Sequence, residues 1–247
     1  MEINRKILTV LQEEAEHSVI DQIHLGLGYT AVTLKDGRCG LCSTWIEKKN
    51  TCTVFKETED YEGGSALPLL QKIISEDTIT RTVVIALVNA LNYRKATAYA
   101  DDTGTLFPDL KLSTGKQVAM IGYFAPIAKQ LNTMGVAVTA YDIGKGVGSE
   151  HEFYAWAKEE ADAMILTATS VINNSTEHVC EQIGYKDIPT VIMGPSTIMI
   201  PSIYEHLPIT LCAGTVPTDI PGTLKAIRNG KGTPVLHRYA RKVYCHI

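Results

Sequence analysis

The spacing of apolar residues along the chain changes character near residue 116. Before it, a stripe of apolar positions with helical period predicts a helix over residues 3–16. Alternating runs then predict three strands, and two longer apolar stretches predict helices. The strands are placed at 19–25, 29–34 and 39–46 and the helices at 67–75 and 78–91. This order indicates a small α+β domain over residues 1–95.

Beyond residue 116, short apolar runs alternate with helical patterns. Strands are predicted at 117–121, 136–141, 163–167, 190–193 and 209–212. Helices are predicted at 126–134, 150–160, 175–183, 198–205 and 220–228. Helical crossovers between strands predict an α/β fold with a Rossmann-like, doubly wound parallel sheet over residues 116–247. Residues 96–115 carry few periodic apolar positions, and we interpret them as a linker.

Charge and hydropathy restrict the classes of partner. The 247 residues carry a formal charge of −4 and no run of Lys or Arg, which argues against nucleic acid. The most apolar stretch, residues 83–91, is far shorter than the roughly 20 residues of a membrane span. The N-terminus is amphipathic and unlike a signal peptide. We therefore expect a cytoplasmic protein whose six cysteines are thiols, with a homo-oligomer left open.

Residues that follow the strands are the candidates for ligand binding, because ligands of parallel sheets bind beyond the carboxyl ends of the strands. Glycines admit a ligand close to the backbone, and hydroxyl groups and helix N-termini donate hydrogen bonds to anionic groups. The candidates are Gly122, Tyr123, Phe124, Asp142, Thr167, Thr169, Ser170, Asn173, Gly194, Pro195, Ser196, Thr197 and Gly214. Of these, Thr169, Ser170 and Asn173 are expected nearest to the ligand. Ordinary turns and helix caps favour the same residue types, which is the competing interpretation.

The first domain adds four candidates. Gly26, Gly28 and Tyr29 lie between two predicted strands, where they form either a tight turn or a loop that faces a ligand. Asn89 is a polar residue in an apolar helix, and its amide either bonds a neighbouring loop or points into a cleft.

Cofactor and metal signals are weaker. A dinucleotide fingerprint needs further glycines after Gly122, although Asp142 stands about 20 residues on, where a ribose-binding acid would stand. A nicotinamide- or S-adenosylmethionine-dependent enzyme is therefore a less favoured alternative. Cys39 and Cys42 have the spacing of half a thiolate site and Cys52 follows, but a strand would point the first two to opposite faces. We assign no metal ligand and no catalytic residue, and a noncatalytic metal-sensing protein with thiol ligands stays an alternative.

Four segments, taken in order, resemble the heavy-metal-chelation family of bacterial and archaeal proteins, a domain family of unknown function. They are Leu25-Gly26-Leu27-Gly28, residues 118–124, residues 167–173 and Met193-Gly194-Pro195-Ser196-Thr197. The resemblance spans nearly the whole chain, with Tyr123 where the family can have His and Ser196 where it can have Gly. It implies an enolase-N-like domain joined to a Rossmann-like domain. It also implies a role in metal homeostasis, with a small polar or anionic ligand or a heavy-metal chelate in the cleft between the domains; whether the ligand is modified stays open.

Overall fold

The computed structural model describes residues 1–46, 55–101 and 106–247. Its first part combines four helices with an antiparallel sheet of order β1-β2-β3. The elements are α1 (Glu2–His17), β1 (Ile20–Leu25), β2 (Tyr29–Leu34), β3 (Cys39–Ser43), α2 (Leu67–Gln71), α3 (Thr78–Leu91) and α4 (Tyr93–Ala96), with a 3₁₀ turn (Lys72–Ile74) after α2. The predicted helices and strands of this part are found, and the third strand ends three residues earlier than predicted, at Ser43.

The second part is built on a seven-stranded sheet. Its elements are β4 (Ala100–Asp101), α5 (Leu106–Asp109), β5 (Gln117–Ile121), α6 (Ala125–Thr133), β6 (Ala137–Tyr141), α7 (Glu150–Glu160), β7 (Ala163–Thr167), α8 (Thr169–Ile172), α9 (Thr176–Gln182), β8 (Thr190–Met193), β9 (Leu211–Pro217), α10 (Ile220–Arg228), α11 (Thr233–Leu236) and β10 (Ala240–His246). The strand order is β4-β10-β9-β8-β7-β5-β6, with β5 to β9 parallel and β10 antiparallel to its neighbours.

Helices cover both faces of this sheet. Side chains of α6 pack on one face, in a core that includes Val118 and Leu131. Side chains of α7 and α9 pack on the other face, in a core that includes Phe153 and Val179. The predicted α/β class with a doubly wound parallel sheet is therefore confirmed. Its parallel strands follow the order 2-1-3-4-5, which is the flavodoxin-like variant of such sheets.

Several predicted boundaries in the second part are wrong. The strand expected at 209–212 runs over Leu211–Pro217, and the helix expected at 198–205 is only a 3₁₀ turn over Pro201–Ile203. Pro201 has no amide hydrogen for a helix interior, which explains the second error. Strand β10 was not predicted, because its alternation includes charged residues at its exposed positions. The segment 96–115, expected to be a linker, contains β4 and α5.

Helix α3 lies at the centre of the molecule. Every residue of α3 except Asn89 is buried, as expected for a helix in which apolar residues predominate. On one side it packs against β3, where a Cβ at Gly40 would lie 2.1 Å from the Ala90 nitrogen. Other residues of α3, such as Val83 and Leu87, share a core with Leu166 of β7. The two parts of the chain therefore share one hydrophobic core. None of the helices in the described residues has both the length and the apolar character of a membrane span.

Arg81 of α3 is a charged residue in the middle of this core, with 1% of its surface exposed. Its guanidinium donates hydrogen bonds to the carbonyl oxygens of Ile73, Val171 (2.6 Å) and Ile172 (2.5 Å) and to Asn4 Oδ1 (3.3 Å). Two of these carbonyls belong to the last residues of α8, which have no partner within the helix. Burial lowers the pKa of Arg81 to about 10, so the group stays charged at neutral pH. One side chain thus fastens α1 and α3 to α8.

Arg81→Met should destabilise the fold strongly. The variant leaves the buried carbonyls of Ile73, Val171 and Ile172 without their donor, and each buried unpaired polar group costs about 1–3 kcal/mol. We expect the free energy of unfolding in urea to fall by about 3–5 kcal/mol. The control is Arg94→Met, whose side chain is 74% exposed and pairs with Asp36, and which should cost less than about 0.5 kcal/mol. Equal unfolding midpoints for the two variants would contradict the role of Arg81.

Candidate functional site

The carboxyl ends of β5 and β7 meet at the switch point of the parallel sheet. Strand β6 lies on one side of β5, and the chain then crosses over so that β7 lies on the other side. The connections that follow β5 and β7 therefore run in opposite directions along the sheet. Gly122 follows β5 with φ +82°, and a Cβ there would lie 2.6 Å from the Thr167 Cβ. Only glycine therefore fits between the end of β5 and Thr167. The hydroxyl oxygens of Thr167 and Thr169 lie 2.9 Å apart beside it.

Helix α6 begins directly after this turn. Phe124 stands at its N-cap position and provides no side-chain hydrogen bond, and the first turn includes Pro126. The backbone N–H groups of Ala125 and Ile127 have no partner within the helix, because the first turn of a helix leaves its amides free. Together with the helix dipole they give the switch point a positive partial charge.

Asp142 and Lys145 brace the turn after β5 from the neighbouring strand. The Asp142 carboxylate accepts hydrogen bonds from the Tyr123 amide (2.8 Å) and the Lys145 amide (3.1 Å). The Lys145 ammonium lies 3.0 Å from Asp142 Oδ2 and donates to the Tyr123 carbonyl (2.7 Å). Burial opposes ionisation of Asp142, but these donors outweigh it and hold the pKa of the carboxyl below its usual range. Both carboxylate oxygens are thus engaged in holding the turn.

Lys145 was missed by sequence reasoning. It brings a positive charge to the edge of the sheet, and its side chain is 58% exposed. Its signal in the sequence is faint: it stands between Gly144 and Gly146, three residues after a strand-end aspartate.

The hydroxyl-rich segment after β7 contributes only some of its residues to the switch point. Thr169 lies at the switch point, half-buried beside Thr167. Ser170 is buried, and its hydroxyl pairs with that of Thr176 (2.8 Å). Asn173 is exposed, and its Oδ1 accepts from the Ser175 hydroxyl (2.7 Å). Of the three residues expected nearest to a ligand, the fold brings Thr169 to the switch point, whereas the other two serve local turns around the unpredicted α8.

The residues of the turn after β8 also differ in exposure. Gly194 and Pro195 are half-buried at the strand end, and a Cβ at Gly194 would lie 3.9 Å from that of Ala168 in the β7 loop. Ser196 and Thr197 are each only 1% exposed. Ser196 Oγ accepts from the Ser43 amide (3.0 Å), and Thr197 Oγ1 donates to the Ala213 carbonyl (2.8 Å). These two hydroxyls therefore fasten the β8 turn to β3 and β9.

The candidates from the first part of the chain lie away from the switch point. A Cβ at Gly26 would lie 2.7 Å from the Ile227 carbonyl oxygen, and the Tyr29 hydroxyl pairs with that of Thr233. The turn that also contains Gly28 therefore packs on α10 and α11. Asn89 Nδ2 donates to the Leu41 carbonyl (2.8 Å).

Between β3, α3 and β9 the described residues leave too little room for a small molecule. The space between β3, α3 and β9, lined in part by Cys39, Asn89 and Thr197, encloses about 10 Å³, which is the size of one water. Nearby, Gly214 is buried, and a Cβ there would lie 2.6 Å from the Met199 sulfur. Among the predicted residues after β5, β7 and β8, those that are half-buried rather than buried follow the ends of these neighbouring strands along one edge of the sheet.

Cys39 and Cys42 are buried in different cores, on opposite faces of β3. Burial raises the pKa of both thiols to about 12. Cys52 lies outside the described residues. Within residues 1–46, 55–101 and 106–247, no group of three or more His, Cys, Asp or Glu side chains could hold a metal ion.

Comparisons with known proteins agree with this architecture. The family model DUF364, described as "Putative heavy-metal chelation", matches residues 106–246, and DUF4213, with the same description, matches residues 9–92. The chain belongs to this family. The resemblance inferred from four sequence segments is therefore confirmed.

Two solved structures share the fold of this DUF364 protein. One is a DUF364-family protein of unknown function from Pyrococcus horikoshii, with 20% identity, a TM-score of 0.78 and full coverage of both chains. The other is a DUF364-family protein of unknown function from Desulfitobacterium hafniense DCB-2, with 14% identity and a TM-score of 0.76, covering 98% of this chain and 100% of that one. No curated protein matches the chain.

Gly122→Ala tests the tight contact at the switch point. The matched control is Gly37→Ala, because Gly37 has a similar φ of +86° but open space around it, with no atom within 4 Å of where a Cβ would lie. Both variants carry the cost of a left-handed backbone, and only Gly122→Ala adds a clash with Thr167. We expect Gly122→Ala to lose about 1–3 kcal/mol more unfolding free energy in urea than Gly37→Ala. Equal losses would show that the contact is loose.

The bracing by Asp142 should depend on pH. Because its folded-state pKa lies below the unfolded value of about 3.9, the ionised carboxylate stabilises the fold above that pH and loses this effect as pH falls through the folded-state pKa. Asp142→Asn should therefore cost about 1–2 kcal/mol at pH 7 and clearly less at pH 3, measured by urea unfolding. Asp187→Asn, at an exposed carboxylate, is the control and should cost less than about 0.5 kcal/mol. A cost for Asp142→Asn that does not change with pH would contradict the assignment.

Proposed function

We propose that this protein binds a small, oxygen-rich anion, carried as a heavy-metal chelate, at the switch point of its parallel sheet. The observation that supports this most directly is the uncapped N-terminus of α6 next to Gly122, with the hydroxyls of Thr167 and Thr169 alongside. A helix N-terminus that follows a glycine turn is a binding site for carboxylate or phosphate groups. The family description supports the metal-related part of the proposal.

A chelate needs no metal ligand from the protein. The chelator surrounds the ion with its own carboxylate or hydroxyl groups, and its outer oxygens remain free to accept hydrogen bonds. The α6 amides, the Thr169 hydroxyl and the Lys145 ammonium are donors suited to such oxygens. Because the chelator supplies the metal ligands, the protein needs no accessible thiol, and all five described cysteines are buried.

The first domain bounds the proposed site on the β8 side. The Ser43 amide is bonded to Ser196, so the chain that follows β3 lies next to the β8 turn. We therefore propose that the ligand lies at the carboxyl edge of the sheet, beside the segment that follows β3, and outside the packed contact between β3, α3 and β9.

A nicotinamide or adenosyl cofactor is less compatible with this geometry. Gly122 is followed by the bulky side chains of Tyr123 and Phe124, where a pyrophosphate would need to approach the backbone. Asp142 uses both carboxylate oxygens within the protein, which leaves it poorly placed to bind a ribose.

The test is isothermal titration with nickel–citrate, citrate, inorganic phosphate and nickel chloride. We expect heat from nickel–citrate and citrate and none from nickel chloride. Lys145→Gln and Thr169→Val should each weaken nickel–citrate binding about 10-fold, which corresponds to about 1.4 kcal/mol. Lys129→Gln, at an exposed lysine of α6, is the charge-matched control and should bind as the wild type does. No heat from any of the anions would contradict an anion site. If both variants bind nickel–citrate as tightly as the wild type does, the anion does not bind at the switch point.

A further inference from the structure

One face of the seven-stranded sheet has less helical cover than the other. The connections from β6 to β7, β7 to β8 and β8 to β9 all advance in the same direction across the sheet, so right-handed crossovers place them on the same face. Side chains of α7, α9 and the 3₁₀ turn over Pro201–Ile203 accordingly pack in the core on that face. On the opposite face, the described residues outside the strands that pack on the sheet belong to segments 107–112 and 123–136.

A row of side chains crosses this second face near the carboxyl ends of the parallel strands. The register pairs Thr167 of β7 with Met193 of β8, Met193 with Ala213 of β9, and Ala213 with Tyr244 of β10. Residues paired in this way point to the same face of a sheet, and the last three belong to the core on the α6 side. We call this row of four residues the ledge.

Burial decreases along the strands toward the ledge. Val191 and Leu211, which stand two residues before Met193 and Ala213, are 0% and 1% exposed. Met193 and Tyr244 are half-buried, and Ala213 between them is 7% exposed. The thioether and the phenol ring are therefore partly accessible, although they pack on the same apolar core as the strand interior.

The ledge begins at the proposed anion site. Thr167, its first residue, shares a hydrogen bond with Thr169 and lies against Gly122. Neighbouring strands are about 4.8 Å apart, so Met193 lies one such step from Thr167 and Ala213 lies two steps away, at about 10 Å. A ligand held at the N-terminus of α6 can therefore extend over β8 and β9 without leaving the protein surface.

We infer that the ledge holds an aromatic ring of the bound chelator, so that the ligand is an aromatic polycarboxylate with its carboxylates at the switch point. A thioether and a phenol ring both make favourable contacts with an aromatic ring. Between Met193 and Tyr244 stands Ala213, which has the smallest side chain of the row and over which a flat ring can lie. This inference rests on the proposed anion site and names the class of ligand that the site binds.

Three dicarboxylates with adjacent carboxylates test the ledge one step at a time. Maleate has no ring, phthalate has one, and the naphthalene dicarboxylate has two fused rings. In isothermal titration we expect each added ring to tighten binding about 5–10-fold, because it buries further apolar area. Met193→Ala should remove the gain from the first ring and leave maleate binding unchanged, whereas Tyr244→Ala should remove only the gain from the second. Leu112→Ala, at a half-buried residue of the same core, is the control and should keep both gains.

The outcomes separate the ledge from the anion site. If maleate and citrate bind but the rings add no affinity, the ledge is not used and the anion site stands. If none of the carboxylates binds, the anion site is wrong and the ledge with it. Gains that survive both Met193→Ala and Tyr244→Ala would mean that the rings lie elsewhere, and would overturn the inference.

A second measurement needs no truncation at the ledge. With the methyl groups of the six methionines isotope-labelled for NMR, saturating phthalate should shift the Met193 methyl resonance through the ring current, and maleate should shift it far less. Met134, which follows α6 and is 38% exposed, is the internal control and should respond to neither anion. Equal responses of Met193 to saturating phthalate and maleate would show that no ring lies on the ledge.

Discussion

The buried guanidinium of Arg81 determines how the two parts of the chain fit together. A charge in a hydrophobic core is tolerated only where hydrogen bonds replace its lost hydration. Its acceptors are Asn4 Oδ1, the Ile73 carbonyl and the final carbonyls of α8, so they come from both parts of the chain. Separating α3 from α8 would leave the guanidinium without its Val171 and Ile172 acceptors and those carbonyls without their donor. By holding the end of α8, Arg81 also sets the start of that helix, where Thr169 lies beside Thr167 at the switch point.

Close docking explains why the hydroxyl-rich strand ends have two different roles. Where β3 and α3 pack against the second part, hydroxyl groups form hydrogen bonds with the backbone. Ser196 Oγ accepts from the Ser43 amide, and Thr197 Oγ1 donates to the Ala213 carbonyl. At the ends of β5 and β7 the described residues of the first part do not engage the polar groups in this way, and Gly122, Thr167 and Thr169 are half-buried. We therefore propose the switch point as the part of the edge where polar groups can bind a ligand.

Apolar periodicity was sufficient to predict β5, β7 and β8, because strands buried on both faces form continuous apolar runs. It also predicted β6, which is less buried, and it placed β9 two residues too early and ended it at 212. It missed β10, whose exposed positions carry charge, and it overextended the helix at 198–205 across Pro201. The candidate site was harder to predict. Ser170 and Asn173 have the residue types of a binding loop, but the same types cap turns, and only tertiary structure separates the two uses. Lys145 reaches the site through the fold, from a different strand end than the residues it joins.

The donors at the proposed site determine which kind of ligand it can hold. At the carboxyl edge of the sheet they are the α6 amides, the Thr169 hydroxyl and the Lys145 ammonium group. Such groups donate hydrogen bonds to oxygen anions and repel bare cations. In this proposal a metal ion reaches the edge of the sheet only inside a chelate whose outer oxygens carry negative charge, and the protein recognises the chelator rather than the ion.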